Sequence, residues 1–156
     1  MFESKEKLQE DARALVDSLR GLGEGRYAVL FDRKGPLLQS PDETSEGEWD
    51  LRRLVRDRTE GLFALPAALH GGEPMEDLFA PWEGEEFFLA IVNGKVGLLV
   101  ACPDAQRLHD ESGKLLKVLA DRLLRMNPAW RLDARGRGLF FGSPRLDTVV
   151  IGRPAR

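Results

Sequence analysis

The sequence is poor in the residues on which most enzyme chemistry depends. Among 156 residues there is one cysteine, Cys102, and there are two histidines, His70 and His109. One cysteine closes no internal disulfide and builds no cysteine zinc site. Neither histidine belongs to an H-E-x-x-H or H-x₃-H pattern, and no group of acids has the spacing of a calcium loop. No apolar run approaches the ~18 residues that a membrane-spanning helix needs. The opening MFESKEKLQEDARALVDSL is charged and amphipathic, unlike a secretory signal. Internal repeats and low-complexity tracts are missing as well. These absences point to a protein of the reduced cytoplasm, without cofactor, metal or membrane.

What is present fits a globular domain. Hydrophobic residues make up 42% and charged residues 31%, too apolar for a disordered chain and enough to bury a core at this length. The net charge of −3 is unevenly spread. From Arg122 onward eight arginines stand against two acids, Asp133 and Asp147, so the first 121 residues are strongly acidic. Those arginines alternate with apolar residues instead of forming a block, which argues against nucleic acid.

Periodicity marks the elements. Leu8, Ala12, Leu15, Val16, Leu19 and Leu22 recur at spacings of three and four, predicting an amphipathic helix over 4–21. Gly21, Gly23 and Gly25 follow and are expected to stop it by supplying positive φ. Tyr27–Phe31 and Leu37–Leu38 flank the turn-forming Asp32-Arg33-Lys34-Gly35-Pro36, a β-hairpin whose Pro36 belongs at a sheet edge. Ser45 and Glu48 have capping-box spacing before a second helix, whose apolar face is Leu51, Leu54, Val55, Leu62, Leu65 and Leu69. Arg52, Arg53, Arg56 and Asp57 cover its other side, and Gly61 and Pro66 predict a break or kink. Leu78–Phe79 is a candidate short strand.

FFLAIVNGKVGLLVACPD is the strongest local signal. Two apolar runs, 86–92 and 95–102, flank Asn93-Gly94, the pair that best tolerates a type I′ hairpin turn. Both runs are apolar almost throughout, so the sheet should be covered on both faces. A third helix is predicted over about 107–126, ended by Asn127-Pro128, and Leu139–Phe141 and Thr148–Ile151 are further strand candidates. Helices separated by antiparallel hairpins give an α+β class with one central antiparallel sheet. The division is a domain over 1–126 and a basic C-terminal extension over 127–156 with one or two short strands.

Candidate chemistry is thin. Cys102 ends an apolar strand, where a free cysteine serves as a small hydrophobe. His109, Asp110 and Ser112 have the residue types of a hydrolytic triad, but triads converge from separate places, and these are near-consecutive. GRGLFFG, residues 136–142, lacks the G-K-[ST] ending of a phosphate-binding loop. Phe87, Phe88, Trp49, Trp82 and Trp130 read as core or interface aromatics. No catalytic motif emerges, and the chain reads as a non-enzyme.

The element order resembles the Roadblock (dynein light-chain) family and its longin-like, profilin-like relatives. YAVLFDRKGPLLQS is similar to that family's first hairpin, EWDLRRLVRDRTEGLFAL to its second helix, and EEFFLAIVNGKVGLLVACPD to its later strands. The resemblance covers roughly residues 5–126. It implies a helix, a hairpin, a long helix, a three-stranded antiparallel run and a last helix. It also implies a non-enzymatic, homodimeric scaffold or regulatory platform, in bacteria often serving a small Ras-like GTPase. The dimer or partner surface would then be carried by Leu51, Leu54, Val55, Arg58 and Leu62. NGKVGLLVACPD followed by a helix is also similar to the end of a GAF or PAS-type sensor. That alternative implies a ligand cavity lined by residues such as Phe63, Phe87 and Leu89.

Overall fold

Every residue of Val96–Cys102 is buried, as are all but the first of Glu86–Val92, although side chains along a strand alternate between faces. These two strands must therefore be covered on both sides. In the computed structural model, described over residues 4–40, 51–70, 86–132 and 144–151, helices supply that cover from above and below.

The elements in chain order are α1 (Lys5–Leu22), β1 (Tyr27–Asp32), β2 (Gly35–Ser40), α2 (Leu51–Asp57), α3 (Thr59–His70), β3 (Glu86–Val92), β4 (Val96–Cys102), α4 (Ala105–Glu111), α5 (Gly113–Met126) and β5 (Leu146–Ile151). A short 3₁₀ turn, Pro128–Arg131, follows α5. The strands form one antiparallel sheet in the order β2-β1-β4-β3-β5. This is the α+β architecture with a single central sheet that the hairpin pattern predicts. No helix among the described residues is long and apolar enough to cross a membrane.

Alternation sorts the core into two layers. Ala28, Leu30, Phe88, Ala90, Leu98 and Val100 face α1, α4 and α5, and Cys102 and Trp130 are buried in the same cluster. Val29, Phe31, Phe87, Leu89, Ile91 and Leu99 face α2 and α3 on the opposite side. Phe63, Phe87 and Leu89 are thus packed into one apolar cluster, where the sensor alternative needs them to line a cavity.

Several local expectations shift. Helix α1 ends at Leu22, but the residue with positive φ is Glu24, at 54°, while Gly23 sits at −94°. Gly23 and Gly25 answer a different need, close approach, while a Cβ on Gly21 would meet nothing within 4 Å. A Cβ on Gly25 would meet Val100 at 3.0 Å and the Ala101 carbonyl at 3.2 Å. At the central hairpin, Asn93 and Gly94 both take positive φ, 52° and 67°, and the Lys95 N–H closes the turn on Val92 O at 2.9 Å. The ladder resumes with Val92 opposite Val96, so Lys95 is one residue more than a two-residue turn requires.

The second helix breaks at Arg58, before both Gly61 and Pro66, which lie inside α3. The Thr59 hydroxyl donates to Val55 O at 2.6 Å, offering that carbonyl a side-chain partner in competition with the helical N–H. The predicted third helix is two, α4 and α5, divided at Ser112. Trp130 is buried, whereas Trp49, Trp82, the Ser45 capping box, and the strand candidates 78–79 and 139–141 lie outside the described residues.

The three-stranded antiparallel run implied by the family resemblance exists in space as β4-β3-β5, with its outer strand drawn from the C-terminal extension. β5 pairs along the whole of β3, from Phe87 opposite Ile151 to Val92 opposite Leu146. Asn93 secures this arrangement. Its backbone N–H donates to Arg145 O at 2.8 Å, and its side chain bridges to Trp130 O and Arg145 N.

Candidate functional site

Helix α2 is short, and its sequence assigns each face. Leu51 and Val55 are one turn apart and point at the sheet, while Arg52, Arg53 and Arg56 are exposed. Asp57 lies 3.9 Å from Arg53 and 3.6 Å from Arg56, and all three side chains are more than half exposed, so these ion pairs hold little.

The five residues expected to form a partner surface divide into two groups. Leu51, Val55 and Leu62 are fully buried, packed with Val29, Phe31 and Leu99 in the chain's own core. Leu54 is half-buried at the edge of that cluster, and Arg58 is exposed. A helix covering an apolar sheet must turn its apolar stripe inward. Of the five, only Leu54 and Arg58 therefore keep solvent-exposed surface. Arg58 sits at the α2–α3 junction, its N–H bonded to Leu54 O at 2.9 Å and its carbonyl accepting from Leu62 N–H at 3.0 Å. Backbone bonding thus carries through the break and fixes where the Arg58 side chain starts.

The sheet edge beside α2 holds a feature that spacing alone did not reveal. Pro36, Leu37 and Leu38 of β2, with Arg52, Arg53 and Arg56 of α2, line an open groove of about 360 Å³. A larger groove of about 780 Å³ lies along β2 and α1, where Lys5, Glu10 and Arg13 mix both signs of charge. Leu37 belongs to both and is 45% exposed.

Among the described residues, Cys102, His109, Asp110 and Ser112 do not converge on one site. Cys102 is fully buried in the α1-side core. The Ser112 hydroxyl is buried with no hydrogen-bond partner, while exposed His109 has its Nδ1 3.4 Å from Asp110. A serine nucleophile needs its base within hydrogen-bond reach, and this one is not joined to it. Among the described residues no three metal-ligating side chains come together. Arg107, on α4 across the sheet, has its pKa raised by its hydrogen bond to Glu111 at 2.9 Å.

No protein-family model and no curated protein matches this sequence. Solved structures do resemble the fold. An MglB described in a tetrameric arrangement superposes with a TM-score of 0.52 at 16% identity, over 81% of this chain and 95% of that one. MglB from Myxococcus xanthus gives 0.49 at 14% identity, covering 86% and 99%. The gliding protein MglB from Thermus thermophilus gives 0.47 at 18%, covering 82% and 94%. The first likeness establishes the fold, which is the Roadblock/longin-like one that the hairpin order resembles.

Proposed function

We propose that this chain is a self-associating, non-enzymatic platform that regulates a small Ras-like GTPase in the cytoplasm. The observation that carries the reading is the MglB-like fold, together with the lack of any converged catalytic group among the described residues. That relative has a tetrameric arrangement, and self-association of this chain is part of the proposal. Within the fold, the partner surface is the flank of α2 bearing Leu54 and Arg58, since Leu51, Val55 and Leu62 are consumed by the core. An apolar side chain beside an arginine suits a protein interface, where arginine is enriched and a half-buried leucine adds area.

The test is direct. Light scattering at micromolar concentration should give a dimer or a higher oligomer. A small Ras-like GTPase of the same organism, loaded with a non-hydrolysable GTP analogue or with GDP, should bind with different affinities and show altered hydrolysis or exchange. A monomer that leaves both nucleotide states untouched overturns the reading.

A further inference from the structure

Helix α2 interrupts the charge of its surroundings. The first 121 residues are acidic overall, yet residues 51–58 read LRRLVRDR, four arginines against one aspartate. Three of these arginines form one wall of the 360 Å³ groove, and Pro36, Leu37 and Leu38 form the other. Arg53 and Arg56 are each about two-thirds exposed and share the single carboxylate of Asp57 at loose distances. Leu37 is the residue left over where the β1–β2 register shifts, between Leu38 opposite Leu30 and Pro36 opposite Phe31. An extra residue of this kind is pushed out of the ladder, and here it presents a large apolar side chain to solvent.

We infer that the groove between α2 and β2 is a docking site for an acidic, extended peptide segment of a partner protein, with carboxylates on Arg53 and Arg56 and an apolar side chain on Leu37. Complementary charge selects the occupant. Loosely paired guanidinium groups beside an apolar strip recognise carboxylates spaced along a chain, and their field speeds encounter. The volume lies at the low end of ligand pockets, ~300–1,000 Å³, which suits a few side chains of a peptide and not a large ligand. A second copy docked edge to edge on β2 would set two arginine-bearing helices against each other, and Pro36 withholds a ladder donor from such pairing. Neither Leu54 nor Arg58 lines this groove, so the site stands apart from the GTPase reading.

The experiment uses the full chain and a fluorescein-labelled peptide alternating acidic residues with leucine, read by fluorescence anisotropy. A peptide with lysine in place of the acids is the control. Saturable binding of the acidic peptide is expected, with the basic one weaker by about tenfold or more. Raising salt from about 50 to about 500 mM should weaken binding severalfold, because exposed charges are screened. Arg53→Glu with Arg56→Glu should abolish binding, and Leu37→Ser should reduce it severalfold while the fold and GTPase binding persist. Equal binding of both peptides, or wild-type affinity in the arginine variant, overturns the proposal. Wild-type affinity in Leu37→Ser overturns the placement in the groove. A change of oligomeric state in the arginine variant assigns the groove to a second copy and overturns it too.

Discussion

Phe31 occupies the space that a side chain at Gly97 would need. The two residues face each other across β1 and β4, and a Cβ on Gly97 would lie 2.6 Å from Cζ of the Phe31 ring. The ring is backed by Phe63 in an edge contact at 5.3 Å between centroids and cannot retreat without disturbing the α3 layer. Gly97→Ala should therefore destabilise the protein by about 1–3 kcal/mol despite alanine's better strand propensity. Urea denaturation checks this, and an unchanged midpoint would show that the sheet relaxes freely at this pair.

Asn93 joins the central hairpin to the C-terminal strand. It gives Nδ2–H to Trp130 O at 2.9 Å and accepts the Arg145 N–H at 2.8 Å, while fully buried. Asn93→Ala removes both bonds and strains a residue at φ 52°, so a loss of about 2–4 kcal/mol is expected. Asn93→Gly relieves the strain and should lose less. Hydrogen exchange should accelerate first at the amides of 145–151, since β5 is the element this side chain tethers. Uniform acceleration throughout the sheet would contradict that.

Ser112 is buried at the α4–α5 junction with an unpartnered hydroxyl. Ser112→Ala removes the orphaned group and supplies a better helix former. A gain of about 0.5–1 kcal/mol in thermal or chemical denaturation is expected. A loss would mean that the hydroxyl is satisfied in solution.

The thiol of Cys102 is fully buried in the α1-side layer. A thiol reagent should react with the native protein far more slowly than with the unfolded chain, because the thiolate must be exposed to attack. Labelling at the rate of free cysteine would restore the case for a reactive site.

Arg58 and Leu54 test the platform itself. Arg58→Glu reverses an exposed charge at a position with no packing duty, so stability should change by less than about 0.5 kcal/mol. GTPase affinity should fall about tenfold, as at an interface arginine. Leu54→Ser should weaken the same binding. Retained affinity in both variants would move the partner surface elsewhere.

Much of this fold is written in local pattern. The α1 stripe, the turn at Asn93-Gly94 and the edge position of Pro36 all follow from periods and turn chemistry that act within a few residues. The candidate surface was only half legible. Leu51, Leu54, Val55 and Leu62 look alike as an apolar stripe, and nothing local says which of them the sheet consumes. The sheet decides, because Val29, Phe31 and Leu99 present an apolar face that Leu51, Val55 and Leu62 must cover. Tertiary structure also decided that β5 closes the edge at β3 and that β2 and α2 enclose a groove. Both are meetings of segments distant along the chain, and no periodicity within either segment encodes its partner. By itself the sequence determined the local elements, the α1 stripe and the two hairpins, because their periods and turns act within a few residues; packing determined which side chains of α2 the sheet consumes and which stay exposed.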